Sequence, residues 1–418
     1  MPRHIISKKA HRLNEDKDAN PSRKKEKRPN PVLRLLAFLL TVVMVLGAIF
    51  LIVNYDKLNF DSIKRWFAYR DLERGDSGQA ESFPFDGDSS STFASLDGDL
   101  LVCSTTGVRL YSASGQVYVD RTVTMENPVA VAAGSTALAY DAGGQTLLAC
   151  RNREEAFTLE LAEDEEVLSA DVNGKGWMVT VTQESGYKGV VTVYDSQFQP
   201  QMQVSLSSRF IMDAALSPDN STVAVLTMGL TDGTFTSQVE LYPTAGAASD
   251  ASPQTTCTVA SPQTTCTVGG QVILDMTWDD SGIWALGEDE IYHLDDSAAL
   301  TGSYSYSDRY LKGFSLAGNG TAVLLLGKYR AGSTAELVVV DTQGEARATM
   351  ALDEQVLSIS AAGRYISLLT ADQLNIYDQD LSVYHSLEET QSARKVLQRS
   401  DGSVLLIGND TARVYLPQ

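Results

Sequence analysis

A unit of about forty residues recurs through most of the chain, and it constrains the fold more than any other feature of the sequence. Each unit has an apolar strand ending in a polar or glycine turn, two further apolar strands and a fourth, more polar strand. Eight units start near residues 91, 128, 166, 210, 272, 311, 355 and 393, and most starts lie about 37–44 residues apart. This is the length of one four-stranded propeller blade. The sequence therefore predicts that residues 80–418 form an all-β, eight-bladed β-propeller, with seven blades as the alternative.

The two ends of the repeat region indicate how such a ring closes. The eighth unit stops after its third strand, at "ARVYLPQ", and one extended segment, "ESFPFDG", precedes the first unit. Closing the ring removes exposed sheet edges, which would otherwise invite pairing with other chains. We therefore expect the N-terminal strand to complete the last blade.

A long apolar segment precedes the repeats. Residues 35–53 read "LLAFLLTVVMVLGAIFLIV", without a single charge. As a helix this stretch would span about 28 Å, close to the hydrocarbon thickness of a bilayer, about 30 Å. A buried core helix and a signal peptide are the alternatives, but the following "NYDKLNF" offers no small-residue cleavage site. We predict a transmembrane helix over residues 35–54.

The charge of the N-terminal tail predicts the orientation of this helix. Residues 1–34 hold eleven Lys and Arg against four Asp and Glu, a net charge of +7. Because basic flanks remain in the cytoplasm, we expect a single-pass protein of the cell membrane. Its tail over residues 1–34 would be cytoplasmic, and its propeller would be extracytoplasmic.

Residues 55–79 connect the predicted span to the repeats. Apolar residues recur at roughly helical spacing within "LNFDSIKRWFAYRDLER", residues 58–74. This pattern predicts a short amphipathic helix that lies at the membrane surface or packs on the following domain. The next residues, "GDSGQAES", indicate a short flexible linker.

The rest of the composition argues against several classes of function. The net charge of −20, less the +7 of the tail, leaves −27 for residues 35–418, which disfavours nucleic-acid binding. The four cysteines and four histidines show neither a CxxC motif nor metal-ligand spacing. No phosphate-binding loop, dinucleotide motif or nucleophile elbow is present. We therefore expect no cofactor, no metal and no enzymatic activity.

One set of polar residues is a candidate for a site in the central channel. Asp213 and Asp275 occupy matching places in the first strands of two adjacent units, and Lys312 lies close to the same level in the next unit. A glycoside hydrolase needs two carboxylates about 5–10 Å apart, and these two aspartates are the best candidates for such a pair. The preferred interpretation is that the three residues form the water-lined wall of the channel.

A doubled nonapeptide interrupts the fourth unit. Residues 251–268 read "ASPQTTCTVASPQTTCTV", which contains Cys257 and Cys266. The second copy leads directly into a first strand, so we predict that it forms the outer strand of its blade. The first copy is predicted to lie in a loop, because its proline and the nine-residue period do not suit one continuous strand.

The segments "LSPDNSTVAV" and the "VYD" strand endings resemble WD40-like, YVTN-like and quinoprotein-like propeller repeats. The whole layout also resembles an uncharacterised family of mainly Gram-positive bacterial proteins. Members of that family have a basic N-terminus, one membrane span, an "I-x-R-W"-like stretch, here Ile63 to Trp66, and a propeller. The resemblance implies a fold and a location but no reaction.

These observations favour a membrane-anchored platform that binds a protein, or a glycan, of the cell envelope. One alternative is a single-pass sensor that couples ligand binding outside to a cytoplasmic partner. The other is a carbohydrate-active enzyme that uses the channel carboxylates.

Overall fold

The computed structural model describes residues 35–36, 38–46, 60–70, 72–73, 75, 77–231, 233–244, 263–390 and 392–417. In this part of the chain, one helix and thirty-two short strands follow residue 59. Helix α1 spans Phe60–Ala68, and the strands form eight antiparallel sheets of four strands each. The eight-bladed propeller predicted from the repeat is confirmed, and the seven-bladed alternative does not hold.

The first four blades follow the predicted units closely. Blade 1 comprises β2 (Thr92–Leu96), β3 (Asp99–Ser104), β4 (Gly107–Tyr111) and β5 (Val117–Thr122). Blade 2 comprises β6 (Pro128–Ala133), β7 (Thr136–Asp141), β8 (Thr146–Arg151) and β9 (Glu154–Glu160). Blade 3 comprises β10 (Glu166–Val172), β11 (Met178–Gln183), β12 (Gly189–Tyr194) and β13 (Pro200–Leu206). Blade 4 comprises β14 (Phe210–Leu216), β15 (Thr222–Thr231), β16 (Thr234–Pro243) and β17 (Thr264–Thr267).

The last four blades repeat the same order. Blade 5 comprises β18 (Ile273–Asp279), β19 (Gly282–Gly287), β20 (Glu290–Leu294) and β21 (Leu300–Ser305). Blade 6 comprises β22 (Tyr310–Gly318), β23 (Thr321–Gly327), β24 (Ala335–Asp341) and β25 (Ala346–Leu352). Blade 7 comprises β26 (Val356–Ala362), β27 (Tyr365–Thr370), β28 (Leu374–Tyr377) and β29 (Val383–Leu387). Blade 8 comprises β30 (Lys395–Gln398), β31 (Val404–Ile407), β32 (Thr411–Tyr415) and, as its outer strand, β1 (Phe83–Pro84).

The ring closes as the sequence predicts, by pairing the N-terminal strand with the last strand of the chain. Phe83 pairs with Ala412 and Pro84 with Thr411, and Gln79 forms an isolated bridge to Tyr415. Proline is tolerated here because the strand lies at the outer edge of its sheet. The end of the predicted linker is thus paired with β32 in the eighth blade.

The hydrophobic core is divided among the contacts between neighbouring blades. Eight clusters of buried side chains lie one at each interface, from blades 1 and 2 round to blades 8 and 1. The second strand of each blade is buried along nearly its whole length, as in β3, β19 and β23. Since each sheet is covered on both faces, these strands are continuous apolar runs without the alternation of a half-exposed sheet.

The antiparallel order of the strands gives the propeller two different faces. We call the face at which the first strand of each blade begins the entry face. The hairpins between second and third strands lie on the same face. The opposite turn face carries the turns that join the first strand to the second and the third to the fourth.

Helix α1 packs on the turn face around the closing blade. The Arg65 guanidinium donates to the backbone oxygen of Asp401 at 2.6 Å, in the first turn of blade 8. Asp61 accepts a hydrogen bond from Arg364 of blade 7 at 3.0 Å. Of the two predicted locations for the amphipathic segment, the structure therefore shows contact with the following domain.

The predicted membrane span is only partly within the described residues. Residues 38–46 are helical, and their described side chains are exposed. The helical stretch is shorter than the predicted one, and residues 47–54 lie outside the described part of the chain. No helix among the described residues combines the length and apolar character needed to cross a membrane.

The second copy of the nonapeptide forms the outer strand of blade 4, as predicted. Strand β17, "TTCT", pairs with β16, with Cys266 opposite Val239. The first copy, residues 251–259, and its Cys257 lie outside the described residues.

Candidate functional site

Two of the three predicted channel residues occupy equivalent positions in the structure. The first strands of blades 4 and 5 each contain a β-bulge, and Asp213 and Asp275 are the first paired residues after it. Asp213 pairs with Leu226, and Asp275 pairs with Leu286. Both side chains are half-buried.

The third predicted residue, Lys312, lies one residue before this position in its own strand. Strand β22 has the same bulge between Leu311 and Gly313, so Gly313 takes the place equivalent to the two aspartates. Lys312 is the bulged residue, and its ammonium group donates to the backbone oxygen of Gly332 at 2.6 Å. All three strands contain this bulge, so the residues equivalent to Lys312 are Met212 and Leu274.

A third carboxyl group, which the sequence analysis missed, joins the two aspartates. Asp171 of blade 3 is half-buried, and its pKa responds to the charges of both aspartates. Burial, followed by the nearby charge of Asp213, raises the pKa of Asp171 to about 7. Its position in a first strand, within "VLSADV", is the signal that would have identified it.

The hydrogen bonds of Asp213 indicate what this position does in the fold. Its carboxylate accepts from Ser169 Oγ of the preceding blade at 2.5 Å and from the backbone N–H of Met276 in the next blade. Ser358 occupies the equivalent place in blade 7, and its hydroxyl accepts from the backbone N–H of Val396 in blade 8 at 3.2 Å. Asp213 therefore connects neighbouring inner strands, a role that serine fills elsewhere in the ring.

The environment of the three carboxyl groups favours their neutral forms. Burial raises the pKa of Asp213 to about 7 despite its hydrogen bond from Ser169, and the charge of Asp275 acts in the same direction. Burial also raises the pKa of Asp275. Like charges in a confined space cannot all ionise without a cost, so Asp171 and Asp213 retain protons close to neutral pH. Within the described residues, no group of His, Cys, Asp or Glu is arranged to hold a metal ion.

The remaining candidate groups for chemistry are engaged in packing. Burial raises the pKa of the Cys103 and Cys150 thiols to about 12, which disfavours the reactive thiolate. His293 is buried against Trp284 and contacts Thr301 Oγ1 through Nδ1 at 2.5 Å.

The most unusual surface of the propeller is on the entry face. Exposed large hydrophobic side chains are concentrated there, at the starts of first strands, within β22 and in the hairpins of blades 3 to 7. We call this set the entry patch; its members are Tyr187, Phe210, Met212, Leu230, Phe235, Val272, Leu274, Tyr310, Phe314, Tyr329 and Leu357. Elsewhere on the described propeller, exposure at this level is limited to Val117, Leu300 and Val383 at the starts of outer strands.

A protruding hairpin is the most exposed part of the entry patch. Strands β15 and β16 pair with each other as far as Thr231 and Thr234. The inner strand β14 pairs with β15 only as far as Met228, which lies opposite Phe210. Leu230 and Phe235 face each other across this hairpin, and they are 64% and 61% exposed. The tip residues therefore form a two-stranded ribbon that extends beyond its blade.

Arg209 supports this ribbon from its other face. Its guanidinium donates to Thr227 Oγ1 at 3.0 Å and to the backbone oxygen of Thr236 at 2.5 Å. Gly229 leaves room for it, because a Cβ at residue 229 would lie 3.0 Å from Arg209 Cγ. Leu230 and Phe235 lie on the opposite side of the ribbon from Arg209, because side chains alternate along a strand.

The alternating pattern around "TDGT" is the sequence signal for this hairpin, since Asp-Gly between β-rich runs favours a tight turn. The sequence analysis did not identify it as a functional feature.

Cationic groups lie over several aromatic rings of the entry patch. Lys188 Nζ is 4.8 Å from the ring centre of Phe210, and the Arg330 guanidinium carbon is 5.3 Å from that of Tyr310. The entry patch can thus offer both apolar contact and positive charge to a ligand.

Comparison with known proteins supports the architecture. The sequence profile described as "Family of unknown function (DUF5711)" matches residues 78–415. No curated protein matches the sequence. The chain is similar to the C-terminal WD40 domain of Sif2, with a TM-score of 0.53 and 11% identity over 82% of this chain and 97% of that chain. It is also similar to BamB from Moraxella catarrhalis, with a TM-score of 0.48 and 13% identity over 80% of this chain and 98% of that chain. The similarity to the WD40 domain shows the β-propeller fold alone.

Proposed function

The chain belongs to the DUF5711 family of unknown function, and from this premise we propose that it is a membrane-anchored, extracytoplasmic platform that binds a protein of the cell envelope. In this proposal the propeller catalyses no reaction. The binding surface is the entry patch, centred on the ribbon that carries Leu230 and Phe235.

The observation that carries the proposal is the concentration of exposed apolar side chains on one face. Single exposed hydrophobic residues are ordinary, whereas a large apolar patch on a soluble surface marks an interaction site. Eleven large side chains of this kind lie in blades 3 to 7, and six of them are aromatic. The rings of Phe210 and Tyr310 lie next to cations. Aromatic residues are enriched at the buried centre of protein interfaces.

The architecture supports this use because the patch is mounted on a rigid frame. Eight interblade cores hold the strands, and the side chains of Arg209 and Lys312 hold the hairpins of blades 4 and 6. A surface that is already ordered loses less conformational entropy when a partner binds.

The channel carboxyl groups have a structural role in this proposal. Asp213 connects three neighbouring blades through Ser169 and the N–H of Met276. An enzyme that used Asp213 and Asp275 would have to break these contacts during its reaction, so a binding role fits their hydrogen bonds better than catalysis does.

The proposed anchor is the apolar segment over residues 35–54, with the basic tail in the cytoplasm. The apolar side chains described within residues 38–46 are exposed, for example Phe38 at 66% and Met44 at 68%, and lipid would cover them. Helix α1, which follows this segment in the sequence, contacts the turn face, opposite the entry patch.

The proposal can be tested by site-specific photo-crosslinking in cells of the source organism. A photoreactive p-benzoylphenylalanine would replace Phe235 or Leu274 in the full chain. We expect discrete protein adducts from both positions, because both side chains would be buried against the same partner. The adducts would be resolved by electrophoresis and identified by mass spectrometry.

The matched control positions are Val117 and Val383, which are similarly exposed but lie on outer strands. Adducts that form equally well from the control positions would refute a specific entry-face interface. Crosslinks to lipid alone from Phe235 would also contradict the proposal.

A further inference from the structure

We propose that the segment of the partner bound by the entry patch is an acidic peptide with apolar side chains. This inference rests on the proposed function and adds the chemistry of the ligand. It follows from the cations of the patch, from their positions at its two ends, and from the charges that surround the patch.

Among the described residues, four cations of the entry patch lack an acidic partner from the chain. The chain has 53 Asp and Glu and a net charge of −20. Nevertheless, within the described residues, Lys188, Lys312, Lys328 and Arg330 have no carboxylate within ion-pair distance. Four cations without acidic partners on so acidic a chain are suited to a ligand that supplies the negative charge.

Local contacts hold all four of these cations beside aromatic or backbone groups. Lys188 Nζ donates to the backbone oxygen of Ser208 at 3.1 Å and lies over Phe210. Lys328 Nζ lies 5.6 Å from the ring centre of Tyr329. A carboxylate that binds such an ammonium group also brings its neighbouring residues onto the aromatic ring. The same contact thus recognises an acidic residue and an apolar one.

The order of the blades arranges these groups in a pattern. Lys188 belongs to blade 3, and Lys312, Lys328 and Arg330 belong to blade 6. Between them, blades 4 and 5 carry the exposed side chains of Met212, Val272 and Leu274 together with the ribbon. The pattern favours a peptide whose apolar residues contact the middle of the patch and whose acidic residues contact its ends.

The charge of the surrounding entry face favours a peptide over an anionic membrane. Exposed acidic groups flank the patch at Glu163 and Asp164 before blade 3, at Asp353 and Glu354 before blade 7, and at Glu388 and Glu389 before blade 8. Within the patch, Glu288 and Asp289 are exposed in the hairpin of blade 5. An anionic bilayer is flat and would meet these groups together with the cations. A peptide can bind the cations without approaching the acidic flanks.

The experiment is a selection from a random twelve-residue peptide library displayed on phage, with the full chain in neutral detergent as the target. Peptides retained by the native chain and lost with Phe235→Ser define ligands of the entry patch. We expect these peptides to be enriched in Asp and Glu together with Leu, Phe or Trp.

Charge reversal then tests the assignment on a synthetic copy of the best peptide. Lys188→Glu and Arg330→Glu should each weaken its binding by about tenfold, because each replaces attraction with repulsion. Lys175→Glu is the matched control, since Lys175 is exposed on the turn face, and it should leave the affinity unchanged.

The two proposals fail in different ways. Neutral or basic peptides in the Phe235-dependent set, or no such set at all, would overturn the acidic ligand. Photo-crosslinking from Phe235 to a cellular protein would still support the platform in that case. Failure of the crosslinking itself would overturn the platform.

Discussion

At the scale of single residues, the inner strands show how one position serves two kinds of side chain. Ser358 and Asp213 occupy equivalent places and accept a backbone N–H from the next blade. The aspartate makes a stronger acceptor when ionised, but its burial and the charge of Asp275 oppose ionisation. The channel wall therefore includes groups whose protonation is linked to folding.

The linkage predicts a pH dependence for Asp171→Asn. The pKa of Asp171 is raised to about 7, so the folded chain keeps this proton at pH values where the unfolded chain has lost it. Its contribution to stability is therefore greatest at low pH and declines as the pH rises from about 4 to about 7. Asparagine stays neutral, so the variant should gain more stability at pH 8 than at pH 5, by on the order of 2 kcal/mol.

This prediction is checked by urea or thermal unfolding of both chains at pH 5, 6.5 and 8. Asp280→Asn is the control, because Asp280 is exposed on the turn face and should show no such difference. Burial lowers the pKa of His293, so the contribution of His293 makes the folded chain less stable at acidic pH. This contribution is the same in both chains and cancels in the comparison. An equal stability change at all three pH values would contradict the raised pKa.

At the scale of single elements, helix α1 is the part whose role depends most on one side chain. Arg65 is 5% exposed, and it donates to Asp401 O at 2.6 Å and Tyr384 OH at 3.1 Å. It thereby joins blades 7 and 8.

Arg65→Ala should therefore destabilise the propeller by about 2 kcal/mol, because it leaves buried acceptors without their donor. The adjacent Lys64→Ala removes a side chain that is 73% exposed and 3.9 Å from Asp61, and it should change stability by less than about 0.5 kcal/mol. Chemical unfolding of the two variants would measure both. Equal effects would show that α1 contributes no specific contact to closure.

Strand β17 is the element that explains the doubled nonapeptide. Deleting residues 251–259 or residues 260–268 produces the same sequence, because the copies are identical and adjacent. The remaining copy would precede Gly269 and Gly270 in either case, and it can form β17. Shortening the connection from β16 changes its closure entropy by only a few tenths of a kcal/mol. We expect the deletion to leave the melting temperature within about 2 °C of the native value, and loss of folding would show that the first copy has a structural role.

At the scale of the whole molecule, the proposed topology makes a prediction for intact cells. Leu230→Cys places a thiol at the exposed ribbon, and Ser7→Cys places one in the basic tail. A membrane-impermeant maleimide should label the first without permeabilisation and the second only after it, above the labelling of the native chain. The reverse pattern would place the propeller in the cytoplasm and remove the envelope partner from the proposal.

The whole ring was largely predictable because its determinants are local and repeated. The eight unit starts lie within one or two residues of the first strands, such as 210 for β14 and 272 for β18. Alternating runs, turn residues and the missing fourth strand of the last unit are all visible in the sequence. Each signal is weak alone, but eight repetitions identify the blade and its closure.

The sequence by itself thus determined the blade count, the closing strand and the use of the second nonapeptide copy. The tertiary structure alone decided which side chains share a level in the channel, because strand pairing sets the register and places Gly313, one residue after Lys312, at the level of the two aspartates. The tertiary structure also decided where the entry patch lies. A Leu or Phe in the sequence looks the same whether it is buried in a core strand or exposed on a protruding ribbon. Only the lengths of neighbouring strands leave Leu230 and Phe235 uncovered, and strand pairing between distant segments is what sets those lengths.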